Sequence, residues 1–422
     1  MPEWLVFLFM VAVFVGLAMA ARFPIGIALT VAAAAGSLFS GKGLSVRHLI
    51  EGSFGYFDTI LIILTATIFI KVLEASGILD SATAGLLKIF YRSRVLLLWA
   101  VMLILMFPGM ITGSSTAAIL SSGPIIAPVM MKLGLPRLKT AALVAMGGIL
   151  GMIAPPVNIL VMIMGSGVDM PYVGVTVPLL IIVIPLALAT PLIIGFRHLR
   201  VIGRDEMLSI LPASLWPRYG VRLLLPFFVL LFLMAAPGAT AGRIPDIGIP
   251  AAFLAASLVG LVSGRSLNFI KVTQRAVEEA MPILAILAGV GMFIQIMTLT
   301  GARGWTVVSI LSLPSVLLYL GIALSLPAFG GVSTFGSASI LGIPFILALI
   351  NKNALLTSAS LSAIAALGEL VPPAAISARF AAQVVGESRF LKVLRPCLIP
   401  ALLQMAVGIG VLLLAPLIGR LL

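Results

Sequence analysis

Hydrophobic positions in this chain do not alternate with polar ones. They run in long blocks separated by short clusters of charge, Gly and Pro. A helical crossing of a bilayer needs about 20 mostly apolar residues. Blocks approaching that length fall at 4–20, 24–39, 56–73, 95–110, 140–166 and 174–196, then at 221–237, 247–264, 281–299, 305–326, 355–377 and 396–419. The chain is therefore predicted to be an all-α polytopic membrane protein. Ala18-Met19-Ala20 resembles a signal-peptide cleavage site, but Met1-Pro2-Glu3 carries no basic residue, so the first block reads as a membrane helix. Two further stretches, 111–131 and 327–350, are apolar yet full of Gly, Ser and Pro, and segments 78–94 and 302–312 read as amphipathic arms along the interface.

The stretch 197–222 carries Arg197, Arg200, Arg204, Arg218 and Arg222 and divides the chain into two halves. We expect a first repeat over 1–200, a basic cytoplasmic linker over 201–220 and a second repeat over 221–422. Thr59 through Ser76-Gly77 parallels Pro282 through Thr300-Gly301. Phe107-Pro108 before Gly113-Ser114-Ser115-Thr116 parallels Leu326-Pro327 before Gly331-Val332-Ser333-Thr334, and Gly151 to Pro155-Pro156 parallels Gly368 to Pro372-Pro373. One Pro-Pro pair would mean little, but the same ordered series occurring twice is the mark of duplication. Lys132, Arg137 and Lys139 follow the first Ser/Thr stretch, whereas only Lys352 follows the second, so positive-inside logic favours two inverted repeats. Inversion needs an odd number of crossings per repeat. Six candidates in each half therefore leave one, or the linker, horizontal or partial. Arg265, Lys271 and Arg275 sit awkwardly with an inverted second half.

Composition narrows the classes. Of 422 residues, 61% are hydrophobic and 9% charged, against about 25% charged in a soluble domain. A soluble enzyme, a disulfide scaffold and a disordered chain are excluded. The net charge of +13 fits loop Lys/Arg bias and attraction to anionic membrane lipids, with no nucleic-acid partner expected. Cys397 is the single cysteine, so no disulfide or thiolate cluster forms within the chain, and His48 and His198 lie beside basic residues near segment ends. No Walker A motif and no Gly-x-Ser-x-Gly elbow is present. The expectation is a non-enzyme whose energy comes from an ion gradient or from a separate subunit.

Paired Gly/Pro interruptions in duplicated halves point to a secondary transporter whose site lies where broken helices meet. Re-entrant helical hairpins are expected at about 108–131 and 327–350, and Pro-Pro-interrupted helices at about 140–166 and 355–377. Non-helical backbone at membrane depth must be buried in protein or line a polar cavity. Its carbonyls and hydroxyls suit Na⁺, and helix N-termini suit a carboxylate. Close packing of small residues, or a plain kink at Pro-Pro, is the competing reading. Substrate candidates are Ser114, Ser115, Thr116, Asn158, Ser333 and Thr334. Glu369, an intramembrane carboxylate inside the second Gly-x-x-x-Pro-Pro, is read as binding a cation, relaying a proton or pairing with Lys or Arg. Lys71 and Glu74 read as an interfacial i,i+3 ion pair.

The order Phe107-Pro-Gly, Gly113-Ser-Ser-Thr, Gly123-Pro, Pro128, then Gly147 to Pro155-Pro156 resembles the large membrane subunit of tripartite ATP-independent periplasmic (TRAP) transporters, of the ion transporter superfamily. The resemblance extends over the whole chain, including Arg22-Phe-Pro24. It implies a Na⁺-driven, elevator-type symporter with a scaffold and a moving transport domain in the bacterial inner membrane. It also implies a small partner subunit of about four helices and a periplasmic binding protein that delivers an organic acid. Carried over, one Na⁺ site falls at Ser114, Ser115 and the carbonyls of Gly151, Ala154 and Pro155, and another at Gly331, Ser333 and the carbonyls of Gly368, Val371 and Pro372. The second hairpin departs from the family in lacking an acidic residue. A stand-alone Na⁺- or H⁺-coupled dicarboxylate symporter is the nearest alternative, followed by a channel, a permease subunit of an ATP-driven importer and, last, a membrane-embedded enzyme.

Overall fold

Every regular element in the computed structural model is helical, and no strand occurs among the described residues. These are residues 1–200, 204–240, 243, 245–349 and 351–420. Residues 201–203 of the expected linker, 241, 242, 244 and 421–422 of the second repeat, and 350 at the end of the expected second hairpin lie outside them. Six described helices are long and apolar enough to cross a membrane, or seven if Val46–Ser53 and Phe57–Ala75, bent by 41°, count as one span.

The remaining apolar blocks resolve into shorter pieces, each with a local cause. The expected crossing at 305–326 is two helices, Ala302–Leu311 and Ser315–Gly330. Pro314, extended at φ −55° and ψ 144°, separates them, because proline donates no N–H and pushes the residue before it out of the helical region. The block at 281–299 is only the later part of a 31-residue helix, Phe269–Leu299. At 1.5 Å per residue that helix is about 46 Å long, against a hydrocarbon core of about 30 Å. Its first turns, with Lys271 and Arg275, can therefore stand clear of the apolar layer. Both amphipathic arms form helices, Ile78–Phe90 and Ala302–Leu311. Each is entered through a left-handed glycine, Gly77 at φ 74° and Gly301 at φ 76°, a conformation that other residues adopt only with strain.

Two packing groups emerge. In the first, Phe269–Leu299 lies on Ile25–Phe39, Val46–Ser53 and Phe57–Ala75, with Ile249–Ser263 also against Phe57–Ala75. Small residues let these helices approach: a methyl on Gly52 would stand 2.6 Å from the Gly291 carbonyl oxygen. The second group gathers around Arg137–Ile153, which is buried at every position from Thr140 to Ile153. Around it pack Arg94–Thr112, Ser115–Lys132, Thr176–Gly195, Ile376–Val385 and Leu391–Ile418. Ala354–Ala366, buried continuously from Leu356, belongs to the same group. Helices apolar on all sides belong in such interiors.

Candidate functional site

The first Gly/Ser stretch is the tip of a hairpin. Arg94–Thr112 stops at Gly113, at φ 65°, and Ser114, extended, starts Ser115–Lys132 by accepting the Ala117 N–H on its side chain at 3.3 Å. Ser122 Oγ donates to the Ile104 carbonyl at 2.9 Å. These residues lie nine positions either side of Gly113, so the chain reverses there. The second tip repeats the device. Ser315–Gly330 ends, Ser333 is extended and accepts the Gly336 N–H at 3.0 Å, and Ser337 Oγ donates to the Leu326 carbonyl at 2.7 Å.

Two corrections follow. The hairpins begin at Arg94 and Ser315 rather than near 108 and 327. The apolar blocks at 95–110 and at the end of 305–326 supply their first limbs, because an apolar hairpin limb and an apolar crossing have the same composition. The alignment of the tips also shifts by one residue. The motif match set Ser115 over Ser333, but the residues that cap the returning helices are Ser114 and Ser333. Ser115 thus corresponds to Thr334.

Behind each tip a helix is interrupted. Arg137–Ile153 gives way to extended Ala154 and the cis pair Pro155-Pro156 before Ile159–Gly167 resumes. Ala354–Ala366 tightens into a 3₁₀ turn over Leu367–Leu370, passes extended Val371 and the cis pair Pro372-Pro373, and restarts as Ile376–Val385. The tips dock on these breaks through one backbone bond each, donated by the residue after the Pro-Pro pair: Val157 N–H donates to the Met110 carbonyl at 3.1 Å, and Ala374 N–H to the Gly331 carbonyl at 3.1 Å. Glycines make the approach possible. A methyl on Gly109 would lie 3.1 Å from Gly151 Cα, and one on Gly330 2.8 Å from Gly368 Cα. A methyl on Gly331 would meet the carbonyl oxygens of Pro372 at 3.0 Å and Val371 at 3.1 Å, so both carbonyls face the second tip.

Each candidate side chain now has a place. Ser114 and Ser333 cap their helices, and Thr116 is half-buried just beyond the first tip. Asn158 is fully buried and engaged: Oδ1 accepts the Val161 N–H at 3.1 Å, while Nδ2 donates to the Ile153 carbonyl at 2.9 Å and to Ser362 Oγ at 3.1 Å. Tyr172 closes the first break, accepting the Asn158 backbone N–H at 2.9 Å and donating to the Pro156 carbonyl at 3.0 Å.

Glu369 joins the halves. Ser115 Oγ donates to its Oε2 at 3.0 Å, Thr334 Oγ1 to its Oε1 at 2.9 Å and Ser377 Oγ to its Oε2 at 3.1 Å. The second hairpin has no carboxylate of its own, and this one reaches it from the facing segment. No ion pair among the described residues includes Glu369, so the Lys/Arg-pairing alternative is not what the structure contains. Lys71 does pair with Glu74 at 2.9 Å, and also with Glu279 at 2.6 Å, while Ser121 of the first hairpin donates to Glu74.

Ser377, Tyr172, Ser362, Glu279 and Ser121 were not singled out from sequence. Ser377 alone had a local signal, a hydroxyl at the restart of a Pro-Pro-broken helix. The others act across long sequence separations. No group of three or more His, Cys, Asp or Glu that could hold a metal occurs among the described residues. What the tips and breaks offer is hydroxyl and carbonyl oxygen, the donor set that suits a hard monovalent cation.

The chain matches the family described as tripartite ATP-independent periplasmic transporter, DctM component, over residues 10–417. No curated protein matches it. Among solved structures it is similar to MtrF of Neisseria gonorrhoeae, described with a class of antimetabolite efflux pumps, at TM-score 0.62 and 14% identity, covering 88% of this chain and 84% of that one. It is also similar to the YdaH transporter of Alcanivorax borkumensis at TM-score 0.58 and 17% identity, covering 88% and 87%. At these identities the likeness speaks for the fold alone.

Proposed function

The chain belongs to the DctM component family of TRAP transporters, the large membrane subunit of a secondary transporter, and from that premise we propose that it imports an organic acid with Na⁺. The observation that carries this reading is the docking of two hydroxyl-bearing tips on two unwound breaks, at Val157–Met110 and Ala374–Gly331. Ser114, Ser115 and the carbonyls of Gly151, Ala154 and Pro155 hold one Na⁺. Gly331, Ser333 and the carbonyls of Gly368, Val371 and Pro372 hold the second. The solute carboxylate sits against the first tip and the restart at Asn158, where the N-termini of Ser115–Lys132 and Ile159–Gly167 favour negative charge, with Thr116 and Thr334 at its edge.

Movement follows from the two packing groups. In this reading the repeats are inverted, and the hairpins with their broken helices slide as an elevator against the frame built on Phe269–Leu299. Ser121 on Glu74, and Tyr56 Oη on the Ile163 carbonyl at 3.3 Å, are polar ties between the groups that such a slide must break. A small membrane subunit braces the frame, and a periplasmic binding protein delivers the solute.

The test is uptake into proteoliposomes holding this chain with its small subunit, fed by the binding protein loaded with a labelled carboxylate that it retains. Flux should collapse when external Na⁺ is replaced by choline, and unchanged uptake would remove the symport reading. Ser115→Ala and Ser333→Ala should each raise the Na⁺ concentration for half-maximal flux. Full uptake without small subunit and binding protein would return the stand-alone symporter.

A further inference from the structure

Glu369 sits on the 3₁₀ turn of the second break, yet its carboxylate holds a hydroxyl from the first tip. It is 4% exposed, and the hydroxyls of Ser115, Thr334 and Ser377 donate to it together with the Ser377 backbone N–H. A carboxylate placed so deep in a membrane protein carries a large desolvation cost unless a positive charge answers it. Hydroxyl donors ease that cost but supply no charge. They do share one property that an amide N–H, a lysine or an arginine lacks: a hydroxyl can rotate its hydrogen away and present a lone pair instead. The same three oxygens that donate to the carboxylate can therefore turn and ligate a cation lodged against it.

We infer that Glu369, Ser115, Thr334 and Ser377 form a further cation site at the seam of the two halves, sharing Ser115 with the first Na⁺ site and taking one dehydrated Na⁺. The inference rests on the reading of the chain as a Na⁺-coupled transporter, and adds to it an ion position with a formally charged ligand. The charge count selects a monovalent ion: one carboxylate neutralises a single positive charge, whereas a divalent ion would leave net charge buried. The ligands come from both tips and from both sides of the second break, so filling the site draws the two halves together. Occupancy sensed by one hairpin is thereby felt by the other.

The test uses this chain purified with its small subunit in lipid nanodiscs, titrated with NaCl at ionic strength held constant by choline chloride. ²²Na⁺ binding gives the stoichiometry and thermal unfolding gives the apparent affinity. Glu369→Gln should bind one Na⁺ fewer per chain than wild type and keep the remainder. Thr334→Val, which keeps shape and removes the hydroxyl, should raise half-saturating Na⁺ about tenfold or more, as losses around metal sites do, and Thr334→Ser should restore it. Ser115→Ala, in the other half, should weaken the same ion, so that Ser115→Ala with Thr334→Val is less than multiplicative. Wild-type stoichiometry and affinity in Glu369→Gln would overturn the site and leave Na⁺ coupling standing. If Glu369→Gln does not fold, equal Na⁺ dependence of Thr334→Val and Thr334→Ser overturns it instead. No Na⁺ binding by wild type would overturn both this site and the Na⁺-coupled reading.

Discussion

The two Pro-Pro breaks share a backbone and differ in what closes them. At the first, Pro155 and Val157 are buried and Asn158, fully buried, stitches Ile153, Val161 and Ser362 together. Tyr172 bridges Pro156 and Asn158. A neutral amide and a phenol thus tie down the interrupted turn. At the second, Pro372 and Pro373 are exposed, Ala375 stands at φ 40°, and Arg379 reaches back to the Pro373 carbonyl at 2.6 Å. A buried carboxylate and three hydroxyls take the place of the amide. The first break is closed around a neutral amide, the second around a carboxylate. At both breaks the backbone lets a hairpin tip dock, and of the two only the second carries a carboxylate.

The strongest way to break this comparison is to attack the shared backbone. A methyl on Gly151 would collide with the Met106 carbonyl, and one on Gly330 would stand 2.8 Å from Gly368 Cα. Backbone on both sides cannot yield as a side chain can. Gly151→Ala and Gly330→Ala should each destabilise by about 1–3 kcal/mol, read as a fall in thermal unfolding temperature in nanodiscs. A fall confined to one of the two would show that the docking is not equivalent.

Asn158→Ala comes next, removing a helix cap and two further hydrogen bonds, with an expected loss of about 2 kcal/mol. A loss under about 0.5 kcal/mol would mean that the first break does not depend on its amide. The hairpin clasps should matter less. Ser122→Ala and Ser337→Ala each remove one hydroxyl–carbonyl bond and should each cost about 1 kcal/mol. A much larger loss in either would mark that hairpin as the less stable one. Smallest is Arg379→Ala on the exposed second break, at about 0.5 kcal/mol, although its guanidinium also lies 4.6 Å from the Phe390 ring centroid. A loss comparable to Asn158→Ala would show that the second break is pinned as firmly as the first.

Apolar blocks, Gly-Ser stretches and Pro-Pro pairs marked the hairpin turns and the interrupted helices, because each depends on a local property: hydropathy, small polar residues or a missing N–H. The first limbs at Arg94–Thr112 and Ser315–Gly330 were not legible. Nothing local distinguishes an apolar helix that turns back from one that crosses. The one-residue shift between the tips was hidden for a related reason, since the residue that caps the returning helix is chosen by backbone geometry and not by motif identity.

The carboxylate shows the division most clearly. Sequence alone made Glu369 conspicuous, because an ionisable group in an apolar helical block is costly wherever it lies. Ser115, which binds it, is 254 positions away. That choice of three hydroxyls over a lysine or an arginine was made only when the packing of the two halves brought both tips to one break. A chain's local energetics specify which segments are helical and where they must stop, while the partners of a buried charge depend on which distant segments the folded interior brings within reach.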